Sequence, residues 1–269
     1  MNADSPGCWD LRARLQDWPG QIITYSVGQH AAPEQGPATF EAYDIKLDGE
    51  TSFRVRSRKD ALINEEQVLR LQLPGAYNIE NALAALTAAH LLGVSIESIA
   101  STLAGFTGTR RRFDIRLQGP LKIADRVLDV TLVDDYAHHP TAIAATLEAT
   151  RRRYPGQRIV AVYQPHMYSR TKTFFDQFLH AFDAADVVII ADIFPARERD
   201  TGLIHARELV DGIAQQPVFA QGRAHVLHGG SVADTTELLN HTLRSGDMVV
   251  IMGAGDIYVV TETLLKNNA

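Results

Sequence analysis

From about Asp114 to its C-terminus the chain repeats one pattern: a short apolar run, a polar loop, then an amphipathic stretch. The apolar runs fall at residues 131–133, 159–163, 187–191, 225–227 and 248–252. Helical periodicity falls between and after them, at residues 141–154, 173–182, 205–213, 232–243 and 257–265. Strands that alternate with helices need crossover connections, and crossovers produce a mostly parallel sheet covered on both faces. An α/β class is therefore expected for this half, with any ligand at the C-terminal ends of the strands.

Residues 1–113 read differently, as a mixed α/β region. A short helix is expected at 9–18 and a β-rich run at 21–25. Runs at 40–45 and 51–55 flank Leu47-Asp48-Gly49-Glu50, and Asp-Gly between two such runs predicts a hairpin. A further strand is expected at 68–73, closed by Leu73-Pro74-Gly75. Ala82, Ala85, Leu86 and Ala89 recur at helical spacing within residues 78–92, with Gly93 in the C′ position. A second helix follows at 95–104, with Ser95 as its N-cap and Glu97 in its first turn. The boundary is placed near residues 112–116, giving regions 1–113 and 114–269.

Bulk properties exclude several classes. A formal charge of -6 argues against general nucleic-acid binding. One cysteine, Cys8, allows neither a disulfide framework nor a multi-cysteine zinc site within the chain. No stretch approaches the ~20 apolar residues of a membrane span. Residues 1–7 have neither the basic start nor the apolar centre of a secretory signal, so a cytoplasmic protein is expected.

Polar clusters follow three of the apolar runs. Asp134-Asp135-Tyr136-Ala137-His138-His139-Pro140 offers carboxylates and imidazoles that can bind a ribose, a metal or a charged substrate, or cap the next helix. Gln164-Pro165-His166-Met167-Tyr168-Ser169-Arg170-Thr171 sets Arg170 near a helix start, as an anion clamp or a solvated loop residue. Asp192-Ile193-Phe194-Pro195-Ala196-Arg197-Glu198 reads equally as a site loop or a solvated one. Gly253-Ala254-Gly255-Asp256 permits close backbone approach but is weak evidence for a ligand. Earlier, Asn78 and Asn81 share one face of a helix start, and Gly108-Thr109-Arg110-Arg111-Arg112-Phe113 is either a phosphate clamp or a charged hinge. The pattern Gly-x-x-x-x-Gly-Lys-Ser/Thr, whose backbone cradles phosphates, does not occur.

Together these motifs resemble the Mur ligase family. Residues 74–85 are similar to its Pro-Gly-x-His-Asn-x-x-Asn-x-x-Ala-Ala, with Tyr77 where the His usually stands. Arg111-Arg112-Phe113 is similar to the Arg-Arg-Phe that closes the family's central domain, and the Asp134 and Gln164 clusters resemble loops of its alanine-adding member. The resemblance runs over essentially the whole chain. It implies part of a central ATPase-type α/β domain followed by a Rossmann-like, mostly parallel sheet domain. It implies a ligase that uses ATP and Mg²⁺ to join L-alanine to UDP-N-acetylmuramate through an acyl phosphate, in peptidoglycan synthesis. Asn78 and Asn81 would then line the adenine, Arg112 the phosphates and Asp135 the ribose. Tyr136, His138, His139 and Arg170 would face the junction of amino acid and acyl phosphate. The sugar-nucleotide domain, the phosphate loop and the magnesium-binding Glu and His of the family would all lie upstream of these residues.

Three other readings are kept. One is a recycling ligase that attaches a whole murein peptide to the same sugar nucleotide. Another is a metal-dependent phosphoesterase using Asp134, Asp135, His138 and His139. The third is a non-catalytic module. Because the sequence carries no phosphate loop, this chain by itself is expected to release no phosphate above background from Mg-ATP with UDP-N-acetylmuramate and L-alanine. Release that requires all three compounds would reveal a phosphate site outside the expected motif.

Overall fold

The structure, a computed structural model, describes residues 1–266 except Gln29, His30, Pro33, Gln35, Gly49, residues 58–66 and Arg223. The chain divides into two units, Met1–Thr107 and Gly108–Ala269. The division falls ahead of the arginine run rather than behind it. The Arg111 carbonyl accepts from Tyr136 N at 2.8 Å, and Phe113 N donates to Asp135 at 2.8 Å, which ties the run to the second unit.

In the first unit, helix α1 (Pro6–Ala13) begins earlier than expected, with proline at its start. Strands β1 (Tyr25–Ser26), β2 (Phe40–Lys46), β3 (Thr51–Ser57) and β4 (Leu69–Leu71) form one sheet in chain order. The expected run at 21–25 contributes only its last residue to a strand. The expected hairpin exists, β2 and β3 pairing antiparallel, although Gly49 of its turn lies outside the described residues. Helix α2 (Ala76–Leu91) ends as the glycine predicts: Gly93 lies at φ 87°, its N–H reaches His90 O, and Val94 N reaches Ala89 O. Those two bonds satisfy carbonyls the helix would otherwise leave open. Ser95 caps α3 (Ile96–Gly105) by accepting from Ser98 N at 3.3 Å. Phe40, Phe53, Val55, Leu69, Ile79, Leu83, Leu86 and Ile99 fill the core between this sheet and the two helices.

The second unit holds a six-stranded sheet in the order β5-β6-β10-β7-β8-β9. Its strands are β5 (Asp114–Ile123), β6 (Arg126–Asp135), β7 (Ile159–Tyr163), β8 (Val187–Ala191), β9 (His225–Gly230) and β10 (Met248–Met252). Only β5 runs antiparallel, as a hairpin with β6 that was not among the expected elements. The others are parallel, and β7, β8 and β10 are buried at every position. Continuous apolar runs arise because both sheet faces are covered. Helices α4 (Pro140–Arg153), α6 (Phe175–Leu179) and α7 (Ala206–Ala214) pack Ile143, Leu147, Phe178, Leu209 and Ile213 on one face. Helices α9 (Val232–Thr242) and α10 (Tyr258–Lys266) pack Leu239, Val260 and Leu264 on the other. Between α4 and α6 lies α5 (Tyr168–Thr173), and α8 (Pro217–Ala220) follows α7. The expected single helix at 173–182 is therefore two short pieces, α5 and α6, breaking at Phe174.

Strand order fixes where a crevice opens. The chain leaves β6 and β7 toward one face of the sheet and leaves β10, which lies between them, toward the other. Such a reversal parts the loops at the C-terminal strand ends. At the opposite end the sheet is pinned by charge. Arg158 donates to both oxygens of Asp247 at 2.9 and 3.2 Å, and Asp247 also accepts from Arg244 N at 2.8 Å. Only 2% of the Asp247 side chain is exposed. Removing one member of a buried pair strands the other, so Asp247→Ala is expected to destabilise the unit by about 2–4 kcal/mol. Urea unfolding measures this; a loss below about 0.5 kcal/mol would make the pair dispensable.

Candidate active site

The strand ends stand level. Met252 is in register with Asp135 of β6 and with Tyr163 of β7. The ladder continues one step further, with Gly253 N donating to Asp135 O and Gln164 N to Met252 O. Tyr136, Gly253 and Gln164 therefore emerge side by side.

Asp134 and Asp135 are the last two residues of β6 rather than loop residues, so their side chains leave opposite faces. Asp134 accepts from Thr261 Oγ1 of α10 and from Arg116 of β5 at 3.1 Å. Asp135 accepts from Phe113 N at 2.8 Å and Ala137 N at 2.7 Å. Burial pushes both carboxyls above the ordinary carboxylate range, against the pull of these donors and of the nearby arginines. The expected four-residue metal set does not assemble: its two carboxylates face opposite ways. Among the described residues no three His, Cys, Asp or Glu gather to hold a metal ion.

The two histidines that follow also part company. His139 is the N-cap of α4; its Nδ1 accepts from Thr141 N at 3.4 Å and its ring packs against Phe174 at 4.6 Å. It thereby takes the capping role left open for this loop. His138 turns toward the crevice. Its Nδ1 lies 2.9 Å from Tyr136 O. A carbonyl can only accept, so Nδ1 carries the proton and Nε2 of the neutral ring keeps a lone pair. The His138 ring stands 6.0 Å from that of His166, whose Nδ1 lies 3.3 Å from Arg170. Arginine can only donate, so His166 accepts there. Burial, with the Arg170 cation close by, lowers the pKa of both histidines below the ordinary imidazole value. Both rings are accordingly neutral near pH 7.

Arginine, tyrosine and glycine form the other wall. The Arg111 guanidinium donates to Gly253 O at 2.6 Å and lies between the rings of Tyr258 and Tyr136, 4.9 and 5.1 Å from their centres. Arg112, exposed, stands 5.1 Å from the same Tyr136 ring. Cations over aromatic faces gain from the ring quadrupole. Gln164 donates to Asp256 at 2.8 Å and accepts from Ile257 N at 3.2 Å, which holds the glycine turn on β7. Gly255 is required here, since a Cβ would come within 2.4 Å of Gln164 Oε1 and 2.6 Å of Phe194. Tyr258, the framing role of Arg111 within the arginine run and the Gln164–Asp256 bond were not anticipated from sequence. No local signal marks them, because their partners lie roughly a hundred residues away along the chain.

The remaining expected residues lie elsewhere. Asn78, in the first unit, donates to Pro74 O at 2.7 Å and so acts at the helix start, while Asn81 is exposed. In the third cluster Asp192 meets His228 at 3.0 Å, and Glu198 meets Ser169. Among the described residues no helix is long and apolar enough to cross a membrane.

A parallel sheet covered on both faces, with arginines and neutral imidazoles gathered at its C-terminal strand ends, defines a doubly covered α/β domain. Residues 119–255 match the family described as Mur ligase, glutamate ligase domain, and the chain belongs to the Mur ligase family. It is 41% identical over 249 residues to the UDP-N-acetylmuramate–L-alanine ligase of Caldanaerobacter subterraneus subsp. tengcongensis, covering 92% of this chain and 48% of that protein. To the ligase of the same name from Clostridium novyi it is 41% identical, over 99% of this chain and 52% of the relative. The chain thus spans about half the length of the curated relatives it matches. Its fold resembles the crystal structure of UDP-N-acetylmuramate-alanine ligase MurC from Thermotoga maritima, with a TM-score of 0.69 and 18% identity over 91% of this chain and 51% of that one. It also resembles the murein peptide ligase of Psychrobacter arcticus, with a TM-score of 0.63 and 22% identity over 93% of this chain and 52% of that one.

The histidine geometry is open to direct test. In an NMR titration His138 and His166 are each expected to gain their proton below the ordinary midpoint of ~6.5. A midpoint at or above that value for either ring would contradict its placement beside Arg170.

Proposed function

We propose that the protein is part of an ATP-dependent ligase that joins L-alanine to the carboxyl group of UDP-N-acetylmuramate in peptidoglycan synthesis, acting in the cytoplasm, where ATP is available. The observation that carries this reading is the meeting of Arg170, His166 and His138 at the ends of three aligned strands, with two of the three groups neutral. Relatives that share about two residues in five with this chain and bear that ligase name support it. The phosphoesterase reading loses its ligand set, since Asp134 and Asp135 face opposite sides of β6.

Amide formation sets three demands that these side chains meet. Negative charge develops at the acyl group and its leaving phosphate, and a fixed guanidinium offsets such charge best where water is scarce. Arg170 is held by His166 and suits that role. The incoming amine must surrender a proton. The free Nε2 lone pair of His138, neutral at pH 7, can take it. Tyr136, edge-on to His138 at 5.3 Å and under both Arg111 and Arg112, orients that imidazole.

ATP would supply the phosphoryl group that activates the carboxyl, and Mg²⁺ would offset charge on its phosphates. The donor set suits a nucleotide: Arg112 is an exposed cation, and no ion pair to it forms among the described residues. Asp135, proposed for the ribose, would use the lone pairs left by Phe113 and Ala137. On the first unit Asn78 spends one amide N–H on Pro74 O and keeps its second N–H and its oxygen, so Asn78 and the exposed Asn81 both retain groups that can meet an adenine.

In the intact parent protein Arg170→Ala should lower kcat about 10²-fold while leaving the unfolding transition in place. Arg112→Ala should chiefly weaken the use of ATP. Unchanged kcat in the first variant would remove Arg170 from the reaction. ADP formation with a tripeptide acceptor but not with L-alanine would replace the alanine reading by the recycling one.

A further inference from the structure

The loops that follow β7 and β8 are fastened to each other. Met167 N donates to Phe194 O at 2.8 Å, Phe194 N donates to Pro165 O at 2.8 Å, and the His166 and Phe194 rings stack 5.6 Å apart. Each loop also holds a non-glycine residue in the left-handed region, Met167 at φ 72° and Ala196 at φ 53°. Backbone of that kind persists only where its surroundings impose it. Glu198 adds a further tie between the two loops. One of its carboxylate oxygens accepts from Ser169 N at 3.0 Å and the other from Ser169 Oγ. The Glu198 carboxylate therefore grips the first turn of α5. Burial raises the pKa of the Tyr168 hydroxyl, and Asp200, two residues beyond Glu198, lies close enough to add to that rise.

Ser169 directly precedes Arg170, which in turn holds His166 across one helical turn. We propose that Glu198 is a positioning residue for the ligase reaction: by locking Ser169 it aims the Arg170–His166 pair into the crevice. This inference rests on the proposed placement of Arg170 at the reacting groups. Both carboxylate oxygens are occupied as acceptors, so an amide at this position would present an N–H group to a donor and lose one bond. His166 is faced by Arg170 from its own segment, by His138 from the loop after β6 and by Glu198 from the loop after β8. Of these only Glu198 favours the protonated ring.

The 269-residue chain suffices for the first test. NMR would follow the imidazole signals of His166 and His138 and the Arg170 Nε–H signal in the wild type, Glu198→Gln, Glu198→Asp and Ser169→Ala. In Glu198→Gln the His166 midpoint should fall further, because the opposing carboxylate is gone while Arg170 and His138 remain. The Arg170 signal should move in both Glu198→Gln and Ser169→Ala, and Glu198→Asp should recover part of the wild-type pattern. Unmoved His166 and Arg170 signals in a folded Glu198→Gln chain would overturn the proposal. If that variant fails to fold, Ser169→Ala decides by the same signals. In the intact parent, Glu198→Gln should lower kcat/KM for the amino acid about 10- to 100-fold, as small misplacements of a reacting group do. A loss of that size with unmoved NMR signals would mean that Glu198 meets the substrate itself and positions nothing. Moved signals in a wild-type parent that makes no amide would overturn the ligase reading and leave the clasp standing.

Discussion

The end of β6 rests on two buried carboxylates that face opposite ways, and most of the site hangs from them. Asp134 joins β6 to Thr261 of α10 and Arg116 of β5. Asp135 joins the same strand end to Phe113 N before the sheet and to Ala137 N after it. A buried carboxylate is costly unless donors surround it, and here backbone N–H groups, a hydroxyl and a guanidinium do so. With that junction fixed, Tyr136 and His138 leave the strand in one direction and Arg111 and Arg112 approach from the other.

What gathers on this junction is an alternation of rings and cations: Tyr258, Arg111, Tyr136 and Arg112. Arg111 donates to two backbone carbonyls of the glycine turn and belongs to the frame, whereas its neighbour Arg112 faces solvent. Two adjacent residues of one chemical type thus have different work. Gly255, whose carbonyl accepts from Arg111, has no room for a side chain, since a Cβ there would press on Gln164 and on Phe194, whose ring stacks on His166.

Several elements were legible because their causes are local. The Gly93 terminus, the Ser95 cap, the hairpin of β2 and β3 and the buried runs of β7, β8 and β10 follow from neighbouring residues alone. Others were not. The break at Phe174 divides an amphipathic stretch into α5 and α6, and the ring there packs against His139 of another loop. The hairpin of β5 and β6 was missed although Ile115, Leu117, Leu121 and Ile123 alternate with polar residues, because Gly119-Pro120 in the middle of that run argues against a strand. His138 and His139 looked equivalent, yet one faces the crevice and the other caps a helix.

The linear sequence by itself determined the class of the second unit and its family, because strand and helix periodicities and strand-end motifs are short-range patterns. Tertiary structure alone decided the division of labour inside those loops. It set Asp134 against Asp135, His138 against His139 and Arg111 against Arg112, and it brought Glu198 onto Ser169. Each choice depends on which distant group completes a buried hydrogen bond, and that is settled only when the strands come into register.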